Sequence, residues 1–155
     1  MKRKIIILTT CIILSVLIIV IYFHENNYFM FNGHKLKFPG SDSTKTIFNN
    51  GGIDITTFQI MEYNNEDIKE IIKQDFKKIN IEKINEIYEK AIIGELFKYL
   101  NEDDKEAFLK NFDKEKLFNT NNYYLFYEDT EKLIYEFVLF IIDIKENKLY
   151  YILSA

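Results

Sequence analysis

The chain has 155 residues, and its 48% hydrophobic content is enough to build a buried core. All 24 acidic residues lie after Phe23, whereas three of the 20 bases lie before it, so residues 24–155 carry 17 bases, 24 acids and a net charge of −7. This balance argues against binding to nucleic acid or to an anionic lipid surface. The single cysteine, Cys11, excludes an intramolecular disulfide.

The first feature along the chain is an uncharged run, Ile5–Phe23. As an α-helix it is roughly 28 Å long, close to the ~30 Å hydrocarbon thickness of a bilayer. The run is preceded by Lys2, Arg3 and Lys4, and basic flanks stay on the cytoplasmic side. We therefore predict a single-pass transmembrane anchor that binds the lipid bilayer, with residues 1–4 inside the cell and the remainder outside.

Three alternatives compete with an uncleaved anchor. A cleaved signal peptide has an apolar region of only about 7–15 residues and a small-residue cleavage site, and no alanine lies near this run. Lipoprotein processing at Cys11 would leave an apolar region of only the residues from Ile5 to Thr10 before the cysteine, which is short for a signal. The third alternative is that the run is a buried helix of a soluble domain. The length of the run favours the anchor over all three alternatives.

Residues 24–27 are predicted to be a short linker, and residues 28–155 one extracytoplasmic domain. Tyr28–Phe31 and His34–Phe38 flank an Asn-Gly pair, which tolerates the positive φ angles of a type I′ turn, so we expect a β-hairpin. The polar stretch Ser41–Gly52 is predicted to be a loop. Ile53–Tyr63 contains β-branched and aromatic residues without a breaker, which indicates a strand.

The middle of the domain has helical periodicity. Apolar residues on one face and acids in the first turn predict a helix from Glu66 to Ile79, capped by Asn64 or Asn65. A second helix is expected over Glu82–Leu100, with a weak point at Gly94. A third, short helix follows, with a capping-box-like pair of acidic residues, Asp103 and Glu106.

The last third is predicted to form three consecutive antiparallel strands, Tyr123–Tyr127, Leu133–Ile144 and Leu149–Leu153. Phe137–Ile142 is apolar at every position, which is typical of a central strand covered on both faces. The fold class is therefore α+β: about three helices packed on an antiparallel sheet with a C-terminal three-strand meander. The layout is similar in outline to small cystatin-like and nuclear-transport-factor-like domains, a likeness of shape that transfers no residue roles.

Tyrosines concentrate in this predicted terminal sheet. An exposed tyrosine face would suit a protein or glycan partner, because tyrosine gives a large contact area at a low entropy cost, whereas cross-strand packing would use the same residues in the core. Alternation along each strand places Tyr124 opposite Tyr123 and Tyr127, and Tyr150 opposite Tyr151. The candidate partner-binding residues are Tyr123, Tyr124, Tyr127, Tyr135, Tyr150 and Tyr151.

Sets of residues for catalysis are sparse. His24 and His34 are the only histidines. They lack the ligand spacing of a zinc site, and no serine or cysteine nucleophile is paired with them as a base. No cofactor or metal is expected. Acids are plentiful, as in Glu102–Asp104, but they fall at predicted helix starts and turns. Two functions follow as hypotheses. The first is a non-catalytic, membrane-anchored binding or accessory domain outside the cell membrane, including a self-immunity protein; the second is a cell-envelope hydrolase that uses a carboxylate pair.

Overall fold

The structure is a computed structural model that describes residues 28–51, 55–131 and 135–155. The predicted anchor, Ile5–Phe23, and the predicted linker, residues 24–27, lie outside these residues, and so does the start of the predicted strand Leu133–Ile144. Within the described ranges, no helix combines the length and the apolarity that a membrane span requires.

The described chain forms eight strands and five α-helices, with a π-helix between the second and the third. The strands are β1 (Tyr28–Phe31), β2 (His34–Lys37), β3 (Ser43–Asn50), β4 (Thr56–Glu62), β5 (Lys77–Lys78), β6 (Tyr123–Asp129), β7 (Glu136–Asp143) and β8 (Lys148–Ser154). The helices are α1 (Asn65–Ile72), α2 (Ile81–Ile87), the π-helix (Tyr88–Leu96), α3 (Phe97–Tyr99), α4 (Glu102–Asn111) and α5 (Lys114–Leu117).

Six strands form one antiparallel sheet in the order β3-β4-β8-β7-β6-β5. The predicted C-terminal meander is confirmed, since β6, β7 and β8 are neighbours in chain order. Phe137–Ile142 of β7 is buried at every position, as expected for a strand covered on both faces. The α+β class, with helices packed on a large antiparallel sheet, follows from this arrangement.

The two faces of the sheet bury two separate clusters. One face packs against the helices from α2 to α5, where Phe58, Phe108 and Leu139 are fully buried. The other face packs against the β1–β2 hairpin and α1, through residues such as Leu36 and Ile71. The first helix of the middle segment therefore lies across the sheet from the others.

The predicted hairpin is confirmed. Asn32 and Gly33 have φ angles of 45° and 81°, which are the positive values that a type I′ turn requires. The hairpin is a separate two-stranded sheet that lies over the face of the large one, because Phe29 packs edge-on against Phe140 and Tyr151. It does not extend the six-stranded sheet.

Two of the predicted elements are wrong. Ser41–Gly52 is not a loop: most of it is β3, an edge strand paired with β4, whose polar side chains face solvent while Phe48 enters the core. The helix predicted to reach Ile79 ends at Ile72, because Lys77–Lys78 leaves the helix and pairs with β6. In both places sheet pairing overrides local composition.

The long second helix changes its winding where Gly94 lies. The π-helix Tyr88–Leu96 contains this glycine, and a Cβ atom at Gly94 would lie 3.2 Å from the carbonyl oxygen of Glu89. The wide turn of the π-helix is therefore compatible with glycine, which has no side chain to meet that oxygen.

The helix predicted third in the sequence is α4. Its N-cap is Asn101, whose side chain accepts the N–H of Asp104, and not Asp103.

Candidate functional site

One edge of the large sheet is only partly paired. β5 has two residues, which lie opposite Tyr123 and Tyr124 at the start of β6. From Leu125 to Asp129, β6 pairs with β7 on its inner side, and no other strand of the described chain pairs with its outer side. Five residues of β6 therefore form an open edge.

The pairing of β5 with the start of β6 shows which backbone groups of β6 point to this edge. The N–H of Ile79 donates to the carbonyl oxygen of Asn122 at 3.0 Å, and Lys77 lies opposite Tyr124. Backbone hydrogen-bonding groups alternate from side to side along a strand. The same parity directs the N–H and C=O groups of Phe126 and Glu128 to the open edge, where no strand of the described chain meets them.

A groove of about 650 Å³ runs along this edge. Four consecutive residues of β6, Tyr124 to Tyr127, lie along it, and β5 and the chain before it close one end. The walls come from the hairpin and α1 on one side and from α2 on the other; the residues that contribute to them include His34, Ile72, Lys73, Asp75, Phe76, Lys77, Lys83 and Ile87. The groove is therefore an open channel between two walls, with the strand β6 along its floor.

The hairpin wall is fixed at its turn. The imidazole of His34 stacks on the ring of Tyr127, with centroids 3.9 Å apart. The side-chain amide of Asn32 donates to a carboxylate oxygen of Asp129 at 3.0 Å. Burial, followed by the nearby Asp75, raises the pKa of the Tyr127 phenol above its ordinary value. Two contacts therefore attach the turn of the hairpin to the end of β6.

The helical wall continues into a polar cluster around Glu128. Its carboxylate accepts hydrogen bonds from Lys90, at 2.7 Å, and from the hydroxyl of Tyr135. The hydrogen bond from Lys90 is the main reason why the pKa of Glu128 is lowered, and burial followed by the bond to Glu128 raises that of Tyr135. The ammonium of Lys90 also lies 5.0 Å from the centre of the Tyr135 ring. The side chain of Glu128 is thus fixed while its backbone faces the edge.

The groove is lined by more basic than acidic side chains, although the domain as a whole is acidic. Lys73, Lys77 and Lys83 line it, against one carboxylate, Asp75. Lys73 is paired with Glu70 and Lys83 with Glu86, while Lys77 forms no ion pair with any described residue. Glu70, Glu86 and Asp75 together balance the charges of the three lysines, so these six residues give the groove no net charge.

The structure divides the six candidate tyrosines between the two faces of the sheet. Tyr124 and Tyr150 lie on the helix face and Tyr123, Tyr127 and Tyr151 on the hairpin face, as alternation predicts. The sixth, Tyr135, packs against the cluster on the helix face. All six are buried or half-buried, so they do not form one continuous exposed surface.

Three of the tyrosines lie near the open edge. Tyr124 and Tyr127 line the groove, and Tyr123 lies beside β5, with the ammonium of Lys78 6.0 Å from its ring centre. Tyr151 packs between Phe29 and Phe140, where burial raises its pKa to about 12. The sequence did not identify His34 or the groove lysines, Lys73, Lys77 and Lys83, as groove residues. Their proximity to β6 depends on where α1 ends.

A second polar cluster lies at the other end of the sheet. Asp143 is buried; one of its carboxylate oxygens accepts the backbone N–H groups of Lys145 and Glu146, and the other has no hydrogen-bond partner in the described chain. The Nζ atom of Lys116 lies 3.3 Å from that second oxygen and 2.5 Å from Glu146. Lys116 thus connects α5 to the β7–β8 turn, beside a cleft of about 920 Å³.

The carboxylate of Glu146 is held in its charged form. Hydrogen bonds from Lys116 and then Lys148 lower the pKa of Glu146. A general acid that works near neutral pH needs the opposite shift. The acids of Glu102–Asp104 lie in the first turn of α4, where they complement the helix dipole.

No family model, curated protein or solved structure matches this chain. The class of this protein is therefore defined by its fold and its site alone: it is an α+β domain with a groove along an unpaired sheet edge.

Proposed function

We propose that residues 28–155 are a non-catalytic binding domain, held outside the cell membrane by the anchor Ile5–Phe23, and that a partner protein binds in the groove beside β6. The groove beside the partly paired strand β6 is the observation on which this proposal depends. Accessory proteins of the cell envelope and immunity proteins both belong to this functional class.

The chemistry of the described carboxyls favours binding over hydrolysis. The two acids whose pKa is shifted, Glu128 and Glu146, are both shifted downward by lysine hydrogen bonds. Two acids that lie near one another, Asp143 and Glu146, share the ammonium of Lys116. Such ion pairs stabilise the fold and supply neither a proton donor nor a free nucleophile.

The anchor is tested separately from the groove. Membranes are washed with carbonate, and intact cells are then labelled with an amine reagent that does not cross the membrane. We expect the protein to stay in the membrane fraction and the exposed Lys69 to be labelled from outside. Recovery in the soluble fraction, or labelling of Lys69 only after lysis, would contradict the proposed location.

The groove is tested by photo-crosslinking in the living cell. A photoreactive residue replaces Lys77, which is exposed in the groove, and in a matched strain it replaces Glu106, which is exposed on α4 away from it. We expect a discrete crosslinked protein from position 77 and none from position 106. Equal products at both positions, or none at position 77, would contradict a binding site in the groove.

A further inference from the structure

The β1–β2 hairpin differs in charge from the rest of the domain. Residues 26–41 contain two lysines and a histidine and no acid, although 24 acids follow Phe23. Residues 65–73, around α1 on the same face of the sheet, hold three acids and two lysines. Residues 81–117, on the opposite face, hold ten acids and seven lysines. The hairpin is therefore a basic element on the less acidic face of an acidic domain.

One face of the hairpin is packed and the other is open. Phe29 and Leu36 pack against the large sheet. Met30 lies opposite Lys35 in the register, and alternation places both of them, together with Lys37, on the face turned away from the sheet. All three are exposed, and Met30, at 69%, is the most exposed large hydrophobic residue of the described chain. These three residues form the outer face of the hairpin.

Two acids that border the hairpin lie away from this outer face. Asp129 accepts a hydrogen bond from Asn32 at the turn, 3.0 Å away, and Asp75 lines the groove. The turn is the end of the hairpin that is remote from the chain coming from the anchor. The opposite end, at Lys37, is held by a neutral side chain, Gln74.

The covalent chain limits how far this face can lie from the bilayer. Residues 24–27 separate the predicted anchor from β1, so the Cα atoms of Phe23 and Tyr28 are at most roughly 18 Å apart. Each headgroup region of a bilayer is itself about 5–8 Å thick. The hairpin is therefore confined to the neighbourhood of the lipid surface.

This confinement changes what the charge of the domain implies. The net charge of −7 opposes free association of residues 24–155 with an anionic surface. A tethered hairpin acts at a high effective concentration instead, so that a weak local contact is enough to orient the domain. Lysine suits such a contact, because its ammonium reaches lipid phosphates while its stem lies along apolar surface, and an exposed methionine adds an apolar side chain.

We propose that the outer face of the hairpin lies on the surface of the bilayer that holds the anchor, with Met30 at the boundary of the acyl chains and Lys35 and Lys37 on anionic headgroups. The inference rests on the anchor of the proposed function and adds a second membrane contact. It turns the acidic helix face away from the lipid. The groove, which lies between the hairpin wall and the helical wall, then opens parallel to the membrane.

Spin labels on the full chain in lipid nanodiscs test this contact. Cys11 is replaced by alanine, and a label is attached to M30C or, in a matched protein, to L109C, an exposed apolar position of α4 on the opposite face. The discs contain phosphatidylcholine and phosphatidylglycerol in equal parts. Collisions with oxygen, which dissolves in lipid, and with a water-soluble nickel chelate are compared. We expect the ratio of oxygen to nickel collisions to be about threefold higher at position 30 than at position 109.

Charge reversal separates the lysines from simple proximity. K35E combined with K37E should lower the ratio at position 30 to the value measured at position 109, because the same lipids repel acids, whereas K110E, on α4, should not. Salt at about 1 M shortens the Debye length to about 3 Å and should lower the ratio as well. An unchanged ratio after charge reversal would overturn the proposed headgroup contact.

The remaining outcomes distinguish this inference from the proposed function. Equal ratios at positions 30 and 109, in discs that retain the protein, would overturn the hairpin contact and leave the anchor and the groove as proposed. Shielding of position 30 from both reagents would indicate that a second copy of the chain covers the face, and would also overturn it. If the discs do not retain the protein, the anchor is wrong and the hairpin contact is wrong with it. Crosslinking at position 77 tests the groove in each case.

Discussion

The imidazole ring of His34 lies nearly parallel to the phenol ring of Tyr127, with an angle of 15° between the planes. The two residues are separated in the chain by three strands and all of the described helices, and their contact connects the hairpin to the open edge of the sheet. The stack therefore sets the position of one wall of the groove. A change at His34 should affect the groove before it affects the core.

Replacement H34A should remove the stack and expose Tyr127. We expect a loss of about 0.5 kcal/mol in the free energy of unfolding, at the low end for ring pairs because His34 is exposed. The pKa of Tyr127 should move back toward its ordinary value as its burial decreases. Faster nitration of Tyr127 would report this change. K37A, in the same strand and also exposed, is the control and should leave the nitration rate unchanged.

The buried phenol of Tyr151 predicts a loss of stability at alkaline pH. Burial raises its pKa from 10.0 to about 12. Between these values the unfolded chain loses the proton and the folded chain keeps it, so the stabilisation is complete below pH 10 and is lost as the pH rises toward 12. The free energy of unfolding should fall across this window, and Y151F should reduce the fall. Y99F, at an exposed tyrosine, should not; an identical pH profile for Y151F would contradict the assignment.

The sheet was predictable to the extent that its strands are apolar. β7 is buried on both faces, and its continuous apolar run identifies it without tertiary information. β3 is different, because its Ser, Thr and Asn residues are typical of loops and only Phe48 enters the core at full burial. What makes it a strand is pairing with β4, which the local sequence does not encode.

The groove was not predictable for a related reason. It exists because α1 stops at Ile72 and because, in the described chain, only Lys77 and Lys78 pair with the outer side of β6. Tyr124 and Tyr127 were among the candidate tyrosines because aromatic residues are dense in β6, yet their density alone does not separate groove from core. The anchor remains a prediction from the sequence.

We expect the polar cluster at Asp143 to stabilise the folded protein. Its carboxylate caps the β7–β8 turn through two backbone N–H groups and pairs with Lys116. Replacement D143A should lower the free energy of unfolding by about 1–3 kcal/mol, because buried hydrogen bonds are lost. D143N keeps an acceptor for the turn and should cost less. D103A, at an exposed residue of α4, is the control. A chemical denaturation series checks the order, and equal losses for D143A and D103A would contradict it.

Gln74 holds the open end of the hairpin against the chain that leads into β5. Its side-chain oxygen accepts the N–H of Lys37 at 2.8 Å, and its amide nitrogen donates to the carbonyl oxygen of the same residue at 2.7 Å. Replacement Q74A removes both bonds and should cost about 1 kcal/mol. Q74E keeps an acceptor for the Lys37 N–H but sets a carboxylate oxygen against the Lys37 carbonyl oxygen, so it should keep the first bond and lose the second.

Amide exchange at Lys37 measures this contact directly. In Q74A the Lys37 N–H has lost its acceptor and should exchange faster, whereas in Q74E it should stay close to wild type because a carboxylate oxygen still accepts it. K73A, at the neighbouring exposed residue, should not change the rate at Lys37. Unchanged exchange at Lys37 in Q74A would contradict a role of Gln74 in protecting this amide.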